Sequence, residues 1–460
     1  DNALLCEHAE SLLEAALEHD IGSAARQRLA QEARRALESA LRLIPSDVAA
    51  LMSMAAFHQS YSKDLQGAKA FIERAWACAP NDASIGLGLG RLCLSQGKLE
   101  QGLDVLREVV GRCPRNAASW CTLGQTQLAL NDTEALESFE AALELDPDHV
   151  PSLSGYGLAL KKLDGDWEGA EAAYKTALRI KPDDVATLCN LGKFHEEVYH
   201  DEDDALHYYM KALEVDPGNV RALFWRGRIY EEERLDLDSA EDFYIQTAKY
   251  GQHSEQHEER YLCAEALTRI GYIKWLARNQ TKTARVFYES ALTILPTHPR
   301  ALRQEAALFA HLGLPQPALC LYSSALRVNP SDIDVRAELA DICQILNYTQ
   351  YALERYEEVL KVRPNDAPAM RGLANLIKQI KGGETAESKV LLEEAKIIEE
   401  REKALDQAEE EEIEEYLRKV KSGSSVRMTH EQNGVTTHDE EIQFEKPHGV
   451  DHDSDDGIVH

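Results

Sequence analysis

The sequence predicts an all-α fold, a linear array of antiparallel helix pairs, and three observations carry that prediction. Prolines recur at 45, 80, 114, 147, 182, 217, 296, 330 and 364, at intervals of 35, 34, 33, 35, 35, 79, 34 and 34 residues. The long interval is two periods. Small residues keep the same register, at Gly90, Gly124, Gly157, Gly192, Gly227, Gly271, Ala306, Ala340 and Ala374. About twelve or thirteen positions later a second small residue follows, and four further on stands a large one, such as Phe139, Tyr174, Tyr209, Tyr244, Tyr288, Tyr322 or Tyr356. A period of this length marks stacked supersecondary units.

Each period reads the same way from its proline onward. Proline cannot continue the helix it follows. Two residues later stands a short polar residue: Asp47, Asp82, Asn116, His149, Asp184, Asn219, His298, Asp332 and Asp366. There it caps the next helix. The small residue lets two helices approach, and the large one fills the gap one turn along. Residues 1–45 form a degenerate first repeat. Residues 46–252 hold repeats, a polar joint follows at 253–261, and repeats resume over 262–400. Residues 401–422 continue as a charged helix suited to a solubilising cap. After Ser422 the periodicity stops. The acidic tail, 423–460, reads as disordered. The total is about eleven helix pairs.

Within the third pair, IGLGLG at 85–90 looks at first like a phosphate loop. It follows the cap Asp82 and so lies inside a helix, whereas a dinucleotide loop needs GxGxxG between strand and helix. Gly90 takes the small position. Gly86 and Gly88 are not demanded by the repeat, and each is expected to weaken the helix by about 1 kcal/mol relative to alanine.

The small residue, the second alanine, the Tyr or Phe and the helix-ending proline together resemble the tetratricopeptide repeat. ALRQEAALFAHLGLPQPALCLYSSALRVNP, at 301–330, is the cleanest copy, and the resemblance covers roughly residues 1–400. TARVFYESAL and SAEDFYIQTA also look like the related half-a-TPR pattern of RNA-processing proteins. The resemblance implies a right-handed superhelical solenoid whose first helices line a concave groove. It also implies a non-catalytic protein that binds helices or extended segments of other proteins.

Composition agrees with that class. The 460 residues are 44% hydrophobic and 28% charged, with a net charge of -30. Such acidity repels nucleic-acid phosphates and anionic membranes. No apolar run approaches the roughly 20 residues that span a bilayer. The expected partners are therefore proteins, acidic segments included, with no nucleic acid, no membrane insertion and no small-molecule substrate. Nine cysteines stand singly, with no CxxC pair, as in the cytoplasm or another reducing compartment. Cilium, nucleus and plastid stroma fit equally. The first residue is Asp1, so what precedes it, a targeting segment included, is left open.

No GxxxxGK[ST], HExxH, GxSxG or metal-spaced Cys/His set occurs, so no catalytic residue, metal or cofactor is expected. DHDSDDG at 451–457 fails as an EF-hand loop, because its sixth residue is Asp456 and glycine comes seventh. The sequons at Asn131, Asn279 and Asn347 fall between the two helices of a pair. Asparagine suits that turn, and the threonine two residues on suits a cap.

The informative constellation lies on the first helices. Taken with the resemblance, the positions flanking the small residue face the groove. They are Asn190 and Lys193, then Arg221, Phe224, Trp225 and Arg228, then Arg269 and Tyr272, then Arg300 and Arg303, with Gln304 beside them. Arginine with exposed aromatics suits an acidic or aromatic peptide. The competing reading is that these cations pair with neighbouring carboxylates. Two groove types of similar proteins fit poorly. A co-chaperone clamp for a C-terminal carboxylate matches at Asn190 and Arg221, but Ser154, Leu158 and Trp225 stand where Lys, Asn and Arg belong. The asparagine ladder of the Ser/Thr N-acetylglucosamine transferase is represented by Asn190 alone among its positions. The sequence thus points to an interaction scaffold, a subunit of a larger assembly. The alternatives are a co-chaperone-like adaptor and the regulatory portion of a larger enzyme.

Overall fold

Helix starts are set by the polar residue after each proline. Eight of the nine expected caps accept a backbone N–H with their side chain: Asp47, Asp82, Asn116, Asp184, Asn219, His298, Asp332 and Asp366. His149 holds the position without that bond, its ring contacting Ser152 Oγ at 2.7 Å instead. The structure, a computed structural model, describes residues 2–17, 24–62, 64–96, 98–254, 256–422, 426–428, 431–432, 435–436 and 440–442.

To Ser422 these residues form eleven helix pairs. They are α1 (Asn2–Leu17) with α2 (Ala24–Leu43), α3 (Val48–Phe57) with α4 (Leu65–Cys78), and α5 (Ala83–Ser95) with α6 (Leu99–Arg112). Next come α7 (Ala117–Ala129) with α8 (Glu134–Leu145), α9 (Val150–Ala159) with α10 (Trp167–Ile180), and α11 (Val185–Phe194) with α12 (Glu202–Val215). Then come α13 (Val220–Glu232) with α14 (Leu237–Gly251), α15 (His257–Tyr272) with α16 (Thr281–Ile294), and α17 (Pro299–His311) with α18 (Pro315–Val328). The last are α19 (Ile333–Ile345) with α20 (Thr349–Val362), and α21 (Ala367–Lys381) with the 37-residue α22 (Ala386–Ser422).

Two compact units divide the chain, residues 1–301 and 302–460. In the first, the first helices of successive pairs also touch: α5 with α7, α7 with α9, α9 with α11, α11 with α13 and α13 with α15. In the second, α19 touches α21. The core of each pair is the expected small–large contact. Tyr174, Tyr209, Tyr244 and Tyr288 are completely buried. A Cβ added at Gly192 would lie 2.8 Å from the Tyr209 ring, and one at Gly271 would lie 2.5 Å from Tyr288. Alanine there would push the ring out of the space it fills.

The one-residue variation in period has a structural cause. The three 35-residue intervals, 45–80, 147–182 and 182–217, each contain a π-helical turn at the end of the first helix: His58–Ser62, Leu160–Asp164 and His195–Tyr199. A fourth, Ile273–Ala277, lies in the double interval. Among the described residues the 33- and 34-residue intervals carry none. A π-turn is one residue inserted into an α-helix. In three of these four the turn closes on a carbonyl six residues back: Asp64 N to His58 O (3.0 Å), Asp201 N to His195 O (3.1 Å), Gln280 N to Lys274 O (2.7 Å); after Leu160–Asp164 the bond is five back, Gly165 N to Leu160 O (2.8 Å). In the shorter repeats it closes five back, as with Lys98 N to Cys93 O (3.0 Å) and Tyr348 N to Cys343 O (2.8 Å). The seventh pair closes six back without a π-turn, Asp236 N to Tyr230 O at 2.9 Å.

Other expectations change in detail. Gly86 is demanded after all: a Cβ there would meet Val109 Cγ2 at 2.4 Å. Gly88 is open, with only Met52 Cε at 4.0 Å. The sequon asparagines take the left-handed turn conformation, with φ of 56°, 52° and 61° at Asn131, Asn279 and Asn347. Thr133 makes no side-chain cap bond; Asp132 Oδ1 accepts from Glu134 N at 3.1 Å instead. Six cysteines are buried, while Cys78 and Cys320 are exposed. α15 begins at His257 and so takes up part of the polar joint. Beyond Ser422, where no regular element was expected, Val426–Met428 pairs antiparallel with Glu440–Ile442, and Glu431–Gln432 with Val435–Thr436. The β-branched and apolar residues Val426, Ile442, Val435 and Thr436 supply the local preference. DHDSDDG lies outside the described residues.

A candidate partner-binding face on the first helices

The first helices of pairs six to nine carry the predicted cations, and the fold sorts them by depth. A unit of three side chains recurs. The buried Tyr209 hydroxyl donates to Glu196, in the π-turn after α11, at 3.2 Å, and Glu196 is held in turn by Arg228 of α13. One repeat on, Tyr244 donates to Glu231 at 2.6 Å, and Glu231 is held by Arg269 of α15 at 2.7 Å. In these two pairs the tyrosine that fills the small–large contact has an acceptor, and the acceptor has a cation from the next repeat; the Tyr174 and Tyr288 hydroxyls make no such bond.

Arg269 is 9% exposed. It also binds Glu232 at 2.8 Å and Glu265, four residues before it, at 3.2 Å. Burial works against its charge, but the Tyr244 hydroxyl and these carboxylates outweigh burial and raise its pKa. Glu265 is a hub: Arg300 reaches it at 2.6 Å and His298 Nε2 at 3.3 Å. Burial pushes the His298 pKa below its ordinary 6.5, against the pull of Glu265. Phe224 is 3% exposed and packs on Tyr244, with ring centroids 5.8 Å apart. Phe224 and Arg269 therefore lie inside the stack, out of a partner's reach. Arg303, in the second unit, is gripped by Glu338 at 2.8 Å. Tyr272 is half-buried.

A shallower set remains together. Asn190 donates to Ser154 Oγ at 3.1 Å and accepts from Arg221 at 2.8 Å. Arg221 Nε lies 3.4 Å from the exposed Glu258. This line runs across the first helices of four pairs. Beside it the half-buried Trp225 ring has Lys193 Nζ 4.2 Å and Arg228 Cζ 4.5 Å from its centroid. Lys193 also lies 3.5 Å from Glu197, a residue that Lys161 binds. Burial, with Lys161 and Arg228 nearby, lowers the Lys193 pKa against the pull of Glu197. Asn190, Lys193, Arg221, Trp225 and Arg228 thus form one patch, while Arg269 and Arg300 belong to the Glu265 cluster. Sequence reasoning missed Glu265, Glu196 and Glu231. The spacing of four between Glu265 and Arg269 was the available signal; for the two tyrosine acceptors the signal was a glutamate four residues after the small position.

Among the described residues no three His, Cys, Asp or Glu side chains are placed to hold a metal ion, and no helix is long and apolar enough to cross a membrane. No curated protein matches the sequence. Solved structures similar to this chain include the Cut9–Hcn1 hetero-tetramer of the APC/C, at 17% identity, covering 73% of this chain and 68% of that one with a TM-score of 0.47. Yeast Tom70 is 15% identical and covers 90% and 97%, with a TM-score of 0.39. MamA is 19% identical and covers 41% and 97%, with a TM-score of 0.31. A family model described as tetratricopeptide repeat matches residues 121–185 and 201–252. Those residues contain the Gly157–Tyr174 and Gly227–Tyr244 contacts and capped helix pairs, and over them the chain carries tetratricopeptide repeats.

Proposed function

We propose that the chain is a non-catalytic interaction scaffold, a subunit of a larger protein assembly. Asn190, Lys193, Arg221 and Trp225 seat an acidic or aromatic segment of its partner. The supporting observation is the contrast in how the cations are held. Arg228 and Arg269 hold carboxylates that are only 13% and 12% exposed, Glu196 and Glu231, and removing either would strand a buried charge. Lys193 and Arg221 face Glu197 and Glu258, which are 40% and 64% exposed. Such outer pairs are weak, and an arriving carboxylate exchanges with them at little cost. Trp225 between two cations supplies the stacking surface.

The test is affinity capture from native extract with wild type and a Lys193→Ala, Arg221→Ala, Trp225→Ala variant at equal yield of folded protein. The variant is expected to lose partners that wild type retains. An identical partner list sinks the reading. The exchangeable outer pairs also favour a second reading, an adaptor that captures peptides reversibly. Size exclusion of native extract separates the two, because an assembly subunit co-elutes with its partners and an adaptor runs as a monomer.

A further inference from the structure

The edge of the first unit that carries the turns within pairs five to eight has a different character. Consecutive turns are tied along this edge: Arg234 binds Asp203 of the preceding pair, and Arg278 binds Asp238. Each turn also leaves one large apolar side chain exposed: Trp167 at 55%, Tyr199 at 46%, Leu235 at 76% and Leu276 at 56%. One such residue is ordinary; one per repeat in four successive repeats is a stripe. Leu235 is also held at φ 52°, a conformation suited to glycine or asparagine. The matching positions in neighbouring pairs are Gly165, His200 and Asn279. A leucine kept strained and exposed at one place is an outlier that calls for a function.

The surroundings name the partner's charge. The turn segments 162–168, 198–204 and 233–238 hold ten Asp and Glu against one Lys and one Arg, while 276–282 holds one Arg, one Lys and no acid. Asp203 and Asp238 remain 87% and 90% exposed despite their arginines. Glu202 titrates above the ordinary carboxylate range, through partial desolvation and the crowding of Glu233 beside it. Stacked helix layers are spaced about 10 Å apart. Seven residues of an α-helix rise about 10.5 Å.

We propose that this edge docks a basic amphipathic helix of a partner protein, with apolar residues seven apart meeting Trp167, Tyr199 and Leu235, and lysines or arginines meeting the acids between them. This surface is separate from the first-helix patch and does not depend on it. The probe is a synthetic helical peptide about three heptads long, with leucine at every seventh position on a lysine- and arginine-rich background. Binding is read by fluorescence anisotropy at physiological ionic strength. Wild type is expected to bind it, and a Leu235→Gly, Trp167→Ser variant at least tenfold more weakly, with no lower melting temperature because glycine suits the Leu235 conformation. A version with serine for leucine, or with glutamate for the basic residues, is expected not to bind. No binding, equal binding by the variant, or equal binding of the serine peptide would overturn the proposal. Concentration-dependent self-association of wild type that the variant abolishes would also overturn it, by making the edge an interface between copies of this chain.

Discussion

The third pair and the sixth and seventh pairs make the same helix contact by opposite means. In α5 the backbone itself is the packing surface. Gly86 accommodates Val109, Gly90 accommodates Leu106, and α6 buries Leu103, Leu106, Val109 and Val110. No polar group enters that contact. In α11 and α13 the glycine meets a tyrosine whose hydroxyl is satisfied inside the stack. The requirement passes to a glutamate on the first helix and then to an arginine of the next repeat. One contact is local to its pair. The other ties neighbouring pairs together, so the charged repeats specify their order and the glycine-rich one does not.

The widest test of that difference is Arg269→Met. It leaves Glu231 buried without its cation and takes one of two arginines from Glu265, and is expected to cost about 3–5 kcal/mol in denaturant unfolding. Gly86→Ala attacks the other contact. Its Cβ lies 2.4 Å from Val109 Cγ2, and overpacking of this kind costs about 1–3 kcal/mol. Gly88→Ala, two residues away and facing open space, is expected to stabilise by about 0.5–1 kcal/mol by the same assay. Opposite signs at the two glycines would show close approach rather than helix propensity at work; equal signs would refute it.

The smallest effect is in pH dependence, and it belongs to the charged region alone. His298 has a lowered pKa when folded, so the unfolded chain binds its proton more readily below 6.5. Its contribution is present above that pH and lost as pH falls through the folded value. Protonation also removes the Nδ1 acceptor that caps α17 through Ala301 N. His298→Asn keeps a cap and removes the titration. The stability difference between wild type and this variant is expected to shift against wild type from pH 7 to pH 5, as measured by urea midpoints. A pH-independent difference would place His298 outside the linkage.

The array was legible because its signals are local and repeated. Proline, cap and small–large spacing each act within about a dozen residues, and nine copies average out exceptions such as His149. The three sequon turns were placed for the same reason. Depth on the first-helix face was not legible. Phe224 and Trp225 are adjacent, yet one packs on Tyr244 and the other lies half-open beneath Lys193. Arg221 and Arg269 occupy neighbouring repeats, yet only Arg269 meets three carboxylates. Those outcomes depend on which side chain the next repeat presents, and no single-repeat pattern contains that. Gly86 was misjudged for a related reason: the atom it accommodates, Val109, sits twenty-three residues away on α6.

The π-turns bear on how such arrays change length. A residue inserted into a helix interior normally rotates every side chain beyond it by about 100°, and would swing a core face into water. Here the insertion falls at the end of the first helix and before the cap of the second, with Leu160 and Ile273 of the π-turns still seated in the core. Three of the four turns absorb it by closing one carbonyl further back. Repeats of 34 and 35 residues are therefore interchangeable parts, joined at a length-tolerant hinge point. Duplication, deletion or recombination between them can proceed without a matching change elsewhere in the chain.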